Sequence, residues 1–404
     1  MPEWMACRLG DLIGVKHGYA FKGEFFSEDG PGPLLLTPGN FAIGGGFKAG
    51  KPKYYLGPTP DEFRLEGGEL VVTMTDLSKA GDTLGYPAII PAGPAYLHNQ
   101  RIGLVTIKDH SKLDKLFLFY ALRTSDYRGH ILAGASGSTV RHTSPGRISD
   151  YVFSIPGLGE QRAISAVLGA LDDKIAVNDR IVRTSLDLAD TFYEAYSGNL
   201  NFGPETFGAI ASVYGGGTPS TAESGYWDGG IAWAIPSDVT ALRAPYLFRT
   251  GRTITESGLM NCASQLYPAG SIFMTSRATI GAFAIPQIPA AVNQGFIVVV
   301  PPRDELRWWL FHEMRSRIDD MLSLANGSTF LELSRKNFKA IPARVGPSDV
   351  IRRFDAKVVP LHQRAAKATQ ESATLVELRK ALLPKLMSGE IRVRDAEKVV
   401  EDVT

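Results

Sequence analysis

A duplication with a period near 200 residues constrains this chain more than any other feature. Leu9-Gly10-Asp11-Leu12 and Thr37-Pro38-Gly39-Asn40 are matched by Phe207-Gly208-Ala209-Ile210 and Ile235-Pro236-Ser237-Asp238, both at an offset of 198 residues. Asn99-Gln100 corresponds to Asn293-Gln294, Gly137-Ser138-Thr139 to Gly327-Ser328-Thr329 and Ile155-Pro156 to Ile341-Pro342, at offsets of 194, 190 and 186. Such stepwise shrinkage is what short deletions in the loops of a duplicated unit produce. Solenoid repeats run at about 20 to 50 residues, so these are whole domains in tandem. The 404 residues suffice for two to three domains, each burying its own core.

Each half changes texture along its length. Residues 1–156 are rich in Gly, Pro and aromatics, with strand-like runs at 69–75 and 101–108 between turn residues; residues 199–343 repeat this, with runs at 270–275 and 294–300. After each globular part comes a segment nearly free of glycine. In the first, Ile164, Leu168, Leu171, Ile175, Val182, Ala189 and Phe192 step by four and three, with Asn178 and Ser185 filling the stripe. In the second, from about 347 to 388, Ile351, Phe354, Val358, Leu361, Ala365, Ala368, Ser372 and Leu375 do the same, and Pro360 removes one backbone donor and predicts a kink. Both are heptad seams that need a partner. The reading is an α+β chain with globular domains at 1–156 and 199–343 and helical segments at 157–198 and 344–404, the last including a tail. The two helices are expected to pair as an antiparallel coiled coil with pseudo-two-fold symmetry. Such a fused dimer suits a bipartite target with half-sites at a fixed distance.

Composition narrows the function classes. A formal net charge of +1 means that any nucleic-acid contact comes from local patches. Cys7 and Cys262 lie in different halves without a CxxC or Cys/His cluster, pointing to a reducing compartment and away from zinc. The first residues lack a basic and apolar leader, and the run Leu116–Leu122 is too short to span a bilayer, so a soluble, cytoplasmic protein without membrane contact is expected.

Four segments resemble catalytic signatures and fall short of them. Gly45–Lys51 approaches a phosphate-binding loop, but Pro52 stands where a magnesium-binding hydroxyl and a helix start are required. His312-Glu313 begins a zinc-protease helix, yet Ser316 replaces the second ligand. Asp172-Asp173-Lys174 and Asp355-Ala356-Lys357 have the Asp-x-Lys spacing of magnesium nucleases but sit on the heptad segments without an acidic strand partner. The Asn-Pro-Pro-aromatic and Asp-Pro-Pro-aromatic motifs of amino-group methylation and a glycine fingerprint for S-adenosylmethionine do not occur. The chain is therefore expected to be non-catalytic and to hold neither metal nor cofactor. Two other classes stay open: a self-contained magnesium nuclease using the Asp-x-Lys elements, and a protein-interaction scaffold that does not bind DNA.

The order of motifs resembles the specificity subunit of type I restriction-modification systems over nearly the whole chain. Its carriers are Leu9–Leu12, Trp233–Asp238, the two Gly-Ser-Thr segments, Ser154–Gln161 entering the first helix and Leu382–Ile391 closing the second. The second helix is entered by Ile341–Val345 and Pro347-Ser348-Asp349, in place of the Glu-Gln pair. The resemblance implies two target-recognition domains, each reading half of an interrupted double-stranded DNA sequence. It implies helices that dock two adenine methyltransferase subunits, which would bind S-adenosylmethionine, and a translocating nuclease subunit able to join them in defence against phage.

Residues suited to DNA recur in both halves. No acidic residue lies between Arg128 and Arg147, where Arg128, His130, Arg141 and His142 are interleaved with Ser138, Thr139 and other hydroxyls; the second half offers Ser328, Thr329, Arg335 and Lys336. Strand ends add Thr75 and Asp76, paired with Ser276 and Arg277, and Asn99, Gln100 and Arg101, paired with Asn293 and Gln294. Asn and Gln match the edge of adenine and Arg that of guanine, while Asn in a turn also serves as a local backbone cap.

Overall fold

The computed structural model describes residues 4–137, 139–327 and 331–402. It divides into two compact units, Met1–Asp173 with Leu375–Thr404, and Lys174–Thr374. Two 40-residue helices, Leu158–Ser197 and Ser348–Met387, are each shared between the units. The second helix is continuous through Pro360.

In the first unit a four-stranded antiparallel sheet runs in the order Ile13–His17, Ile102–Ile107, Leu70–Thr73, Pro87–Ile89. Leu70–Thr73 is buried throughout, and Val71, Ala88 and Ile102 form its core with Leu36, Phe41 and Ile90. Met5–Arg8 pairs with Val152–Ile155, bringing the ends of the globular part together just before the long helix. Gln161 fixes that junction. Fully buried, its amide oxygen accepts from the Asp114 N–H at 2.9 Å, and its amide nitrogen donates to the Lys112 and Pro156 carbonyls at 2.9 Å. Ile164, Leu168 and Leu171 on the first helix and Leu375 on the second are buried in this unit. Asp172 accepts from the Tyr120 hydroxyl at 2.8 Å, from Arg123 at 3.1 Å and from Arg379 of the second helix.

The second unit repeats this plan with a sheet ordered Ser212–Tyr214, Phe296–Val300, Ile272–Thr275, Phe283–Pro286, Tyr246–Leu247. The two helices run antiparallel within it: Asn178 donates to Glu371 at 2.9 Å, and Tyr193 meets Phe354 at 5.9 Å between ring centroids. Ile175, Asn178, Ser185, Ala189, Ile351, Phe354, Val358, Ala365 and Ala368 are buried along the seam, as the heptads predict. Val182, Phe192 and Leu361 are only partly buried; Tyr193 and His362 occupy the neighbouring core positions. The first stripe passes from alternating steps of three and four to steps of four at 185, 189, 193 and 197, which displaces Phe192 from its centre.

Polar side chains lie inside this packing. Glu313, fully buried, accepts from the Tyr193 hydroxyl and from Arg344, whose guanidinium is 3.2 Å away. A chain of contacts joins Tyr246 to His362 Nδ1 (2.9 Å), His362 Nε2 to His312 Nε2 (3.0 Å) and His312 Nδ1 to Asp190 (2.7 Å). One set of tautomers satisfies all three bonds with both imidazoles neutral: the tyrosine donates to His362, His362 to His312 and His312 to Asp190.

The duplicated motifs have common physical causes. A Cβ on Gly10 would lie 2.9 Å from Ser149 Cβ and one on Gly208 would lie 2.8 Å from Lys339 Cβ, so both sites admit only glycine against a short helix. Asn40 accepts from the Thr37 N–H and Asp238 from the Ile235 N–H, each at 2.9 Å, closing the same proline turn.

Candidate nucleic-acid interface

Equivalent strand ends in the two units each form a polar recess. In the first, Thr73 is paired with Ile102, and beyond that pair the Met74 N–H donates to the Arg101 carbonyl at 2.8 Å. Asn99 closes the turn by accepting from the Arg101 N–H at 3.1 Å, which leaves Gln100 and Arg101 exposed. Thr75–Asp76 pairs antiparallel with Arg141–His142, and the buried Thr75 hydroxyl meets His142 Nδ1 at 3.2 Å. The recess is lined by His17, Met74, Thr75, Gln100, Arg101 and His142.

The second unit builds the same frame. Thr275 is paired with Phe296, the Ser276 N–H donates to the Gly295 carbonyl at 2.8 Å, and Asn293 accepts from the Gly295 N–H at 2.8 Å. Gln294 is exposed and its amide oxygen takes a hydrogen bond from Thr218 at 2.6 Å. Arg277 pairs with Glu332 at 2.8 Å. Ser334 caps the short helix Arg335–Ala340, as Ser144 caps Pro145–Ser149, each accepting an N–H three residues on at 3.1 Å. Arg335 and Lys336 thereby stand exposed at the mouth of a recess shared with Ser276, Arg277, Gln294 and Glu332.

These frames shift one expected pairing by a residue. Thr73 and Thr275 hold the same ladder position, so Met74 corresponds to Ser276 and Thr75 to Arg277, rather than Thr75 to Ser276. Asp76 is buried beneath the recess, accepting from the Ser78 N–H at 2.6 Å, the Thr83 hydroxyl at 2.7 Å and the Thr83 N–H. Burial pushes its carboxyl up, but these bonds outweigh that and hold it below the usual range. Arg141 donates to the Lys79 carbonyl at 3.1 Å, and Thr139 is exposed. Arg128, His130 and Arg147 contact backbone carbonyls of their own unit. Ser138, Ser328 and Thr329 lie outside the described residues.

The sequence did not single out His17, Thr218 or Glu332. Glu332 was within reach of the repeat: it lies 190 residues after His142, and both form a bridge with the residue six positions earlier, Asn326 or Ser136.

Three of the four segments resembling catalytic motifs have local partners, while at the fourth a buried Asp355 oxygen, Oδ1, has no hydrogen-bond partner among the described residues. Arg123 donates to the Gly44 carbonyl at 2.7 Å in the glycine-rich turn, and Lys174 pairs with Glu371 at 3.1 Å. Among the described residues no three His, Cys, Asp or Glu side chains form a metal-ready group, and no helix is long and apolar enough to cross a membrane.

Comparison with known proteins adds four findings. The sequence family described as type I restriction modification DNA specificity domain matches residues 1–183 and 205–348. The specificity subunit of the type I restriction enzyme MjaIX from Methanocaldococcus jannaschii is 35% identical over 134 residues, covering 33% of this chain and 31% of that protein. The EcoR124I/EcoR124II specificity subunit from Escherichia coli is 32% identical over 134 residues, covering 30% of each. These alignments thus span less than a third of either relative. A crystal structure of the S subunit of a type I restriction-modification system from M. genitalium shares the fold, with a TM-score of 0.64 at 17% identity and 96% of both chains covered.

Proposed function

We propose, from the fact that this chain belongs to the type I restriction-modification DNA specificity family, that it is the sequence-reading subunit of such a complex. Each unit reads one half of a bipartite double-stranded site. The long helices set the spacing and dock two adenine methyltransferase subunits, which bring S-adenosylmethionine and act on an adenine flipped out of each half-site. A translocating nuclease subunit joins the same assembly in the cytoplasm, and this chain contributes recognition without chemistry of its own.

The observation that carries this reading is the pair of recesses. Two strand ends with the same backbone hydrogen bonds present different polar side chains, as a reader of two unlike half-sites requires. The nuclease reading is disfavoured at its first Asp-x-Lys element, where Asp172 is held by Arg123, Arg379 and Tyr120 and Lys174 is engaged by Glu371. Methylation mapping of the host genome with and without the gene tests the proposal. An interrupted motif methylated on both strands should vanish with the gene; an unchanged methylation map would overturn it.

A further inference from the structure

We propose that Glu332 determines one base of the half-site read by the second unit, accepting a hydrogen bond from the N4 amino group of a cytosine in the major groove. This inference rests on the DNA-reading role proposed above. The Glu332 carboxylate is half exposed, sits 2.8 Å from Arg277 and shares its recess with Arg335 and Lys336. A carboxylate on a surface that meets phosphates is repelled by them, so its presence there calls for a compensating contact. The ion pair with Arg277 is half exposed and screened by solvent, so it adds little to folding.

Base chemistry does supply one. In the major groove cytosine offers an amino donor and no acceptor of its own, whereas adenine sets its N7 lone pair beside the amino group and guanine and thymine present acceptors at the equivalent place. A carboxylate therefore favours cytosine. The corresponding position of the first unit holds His142, engaged by the Thr75 hydroxyl, which carries no negative charge in any form. The two units are thus built to read different bases at one position of the frame.

The test is selection of bound duplexes by the full chain from a pool randomised across both half-sites, for the wild type and for Glu332→Gln, Glu332→His and Arg277→Ala. The wild type should require cytosine at one position of the second half-site, by roughly 5- to 150-fold over the other bases. Glu332→Gln should move that preference to adenine, whose N6 and N7 suit a carboxamide, and leave the first half-site unchanged, which also reports folding. If that variant loses both half-sites, Glu332→His decides, with a shift from cytosine to guanine expected. Arg277→Ala should keep the cytosine. The assignment is overturned by a wild-type second half-site without cytosine, by a cytosine that survives both Glu332 replacements, or by its loss in Arg277→Ala, which would mean that Glu332 only holds the arginine. Absence of any base preference in the wild type would overturn the DNA-reading role itself, and this inference with it.

Discussion

At the strand ends of the first unit, Asn99 turns the chain and Gln100 and Arg101 stand exposed beside His142; in the second, Asn293 makes the same turn and Gln294 stands beside Arg277, Glu332, Arg335 and Lys336. Where the first unit places Arg101, the second has Gly295, because a Cβ there would come within 2.8 Å of Pro236. The cations of the second recess enter instead from the strand end at Arg277 and from the capped helix at Arg335. What repeats is the set of bonds that hold the backbone, and what diverges is every charged group pointing away from it.

The largest effect that would sharpen this contrast lies in the buried core of the second unit. Glu313→Ala should destabilise the second unit by about 3 to 5 kcal/mol, since Arg344 and the Tyr193 hydroxyl would lose a buried partner. Urea unfolding followed by segment-resolved hydrogen exchange should show the loss in peptides from 272–300 before those from 70–107; equal loss in both would break the distinction between the units.

Arg335→Ala with Lys336→Ala comes next. A base contact should cost about 1 to 3 kcal/mol of DNA binding, and a phosphate contact should flatten the salt dependence. Only the half-site of the second unit should be affected in binding titrations against duplexes altered in one half at a time. Equal weakening at both halves would end the idea of separate readers.

Replacing the caps, Ser144→Ala or Ser334→Ala, should cost about 1 kcal/mol each in thermal denaturation. Because the two caps do the same structural work, a difference much beyond that value would show the frames to be less alike than their hydrogen bonds indicate.

The smallest expected effect is acid sensitivity. Burial holds His98 in the first unit and His312 and His362 in the second below the ordinary imidazole range, although a bond to Asp190 partly opposes this at His312. A lowered folded pKa means that the unfolded chain takes up the protons first, so stability present above about pH 6.5 is lost as the pH falls toward the folded values. Arg315, near the His312–His362 pair, adds to that direction, and Asp190 stays ionised across the window because its own carboxyl is held low. Between pH 7.5 and 6 the loss is at most about 0.8 kcal/mol per histidine. Hydrogen exchange across this range should weaken the second unit more than the first, and His362→Phe should reduce the difference.

The duplication and both long helices were legible in the sequence because glycine contacts, proline turns and heptads leave signatures at fixed spacing. The polar seam positions were not. His362 and Tyr193 count as half-polar to any hydrophobic period, yet they are buried because Tyr246, His312 and Glu313 satisfy them from distant segments. The same limit applied at the recess: the repeat located Asn99, Gln100, Asn293 and Gln294, but Asp76 has the residue type of a surface contact and was assigned as one, although local hydrogen bonds enclose it. Glu332 escapes a reading that looks for cations and amides, because an acid is not the residue type expected opposite phosphates.

The turn closed by Asn99 and Asn293 has an evolutionary consequence. Since the asparagine carbonyl fixes the backbone, a new residue at Gln100, Arg101 or Gln294 leaves the turn's hydrogen bond in place. If the two units read separate half-sites as proposed, a target sequence can then change in one unit while the other keeps its own, and a host can acquire a new modification pattern without a new protein.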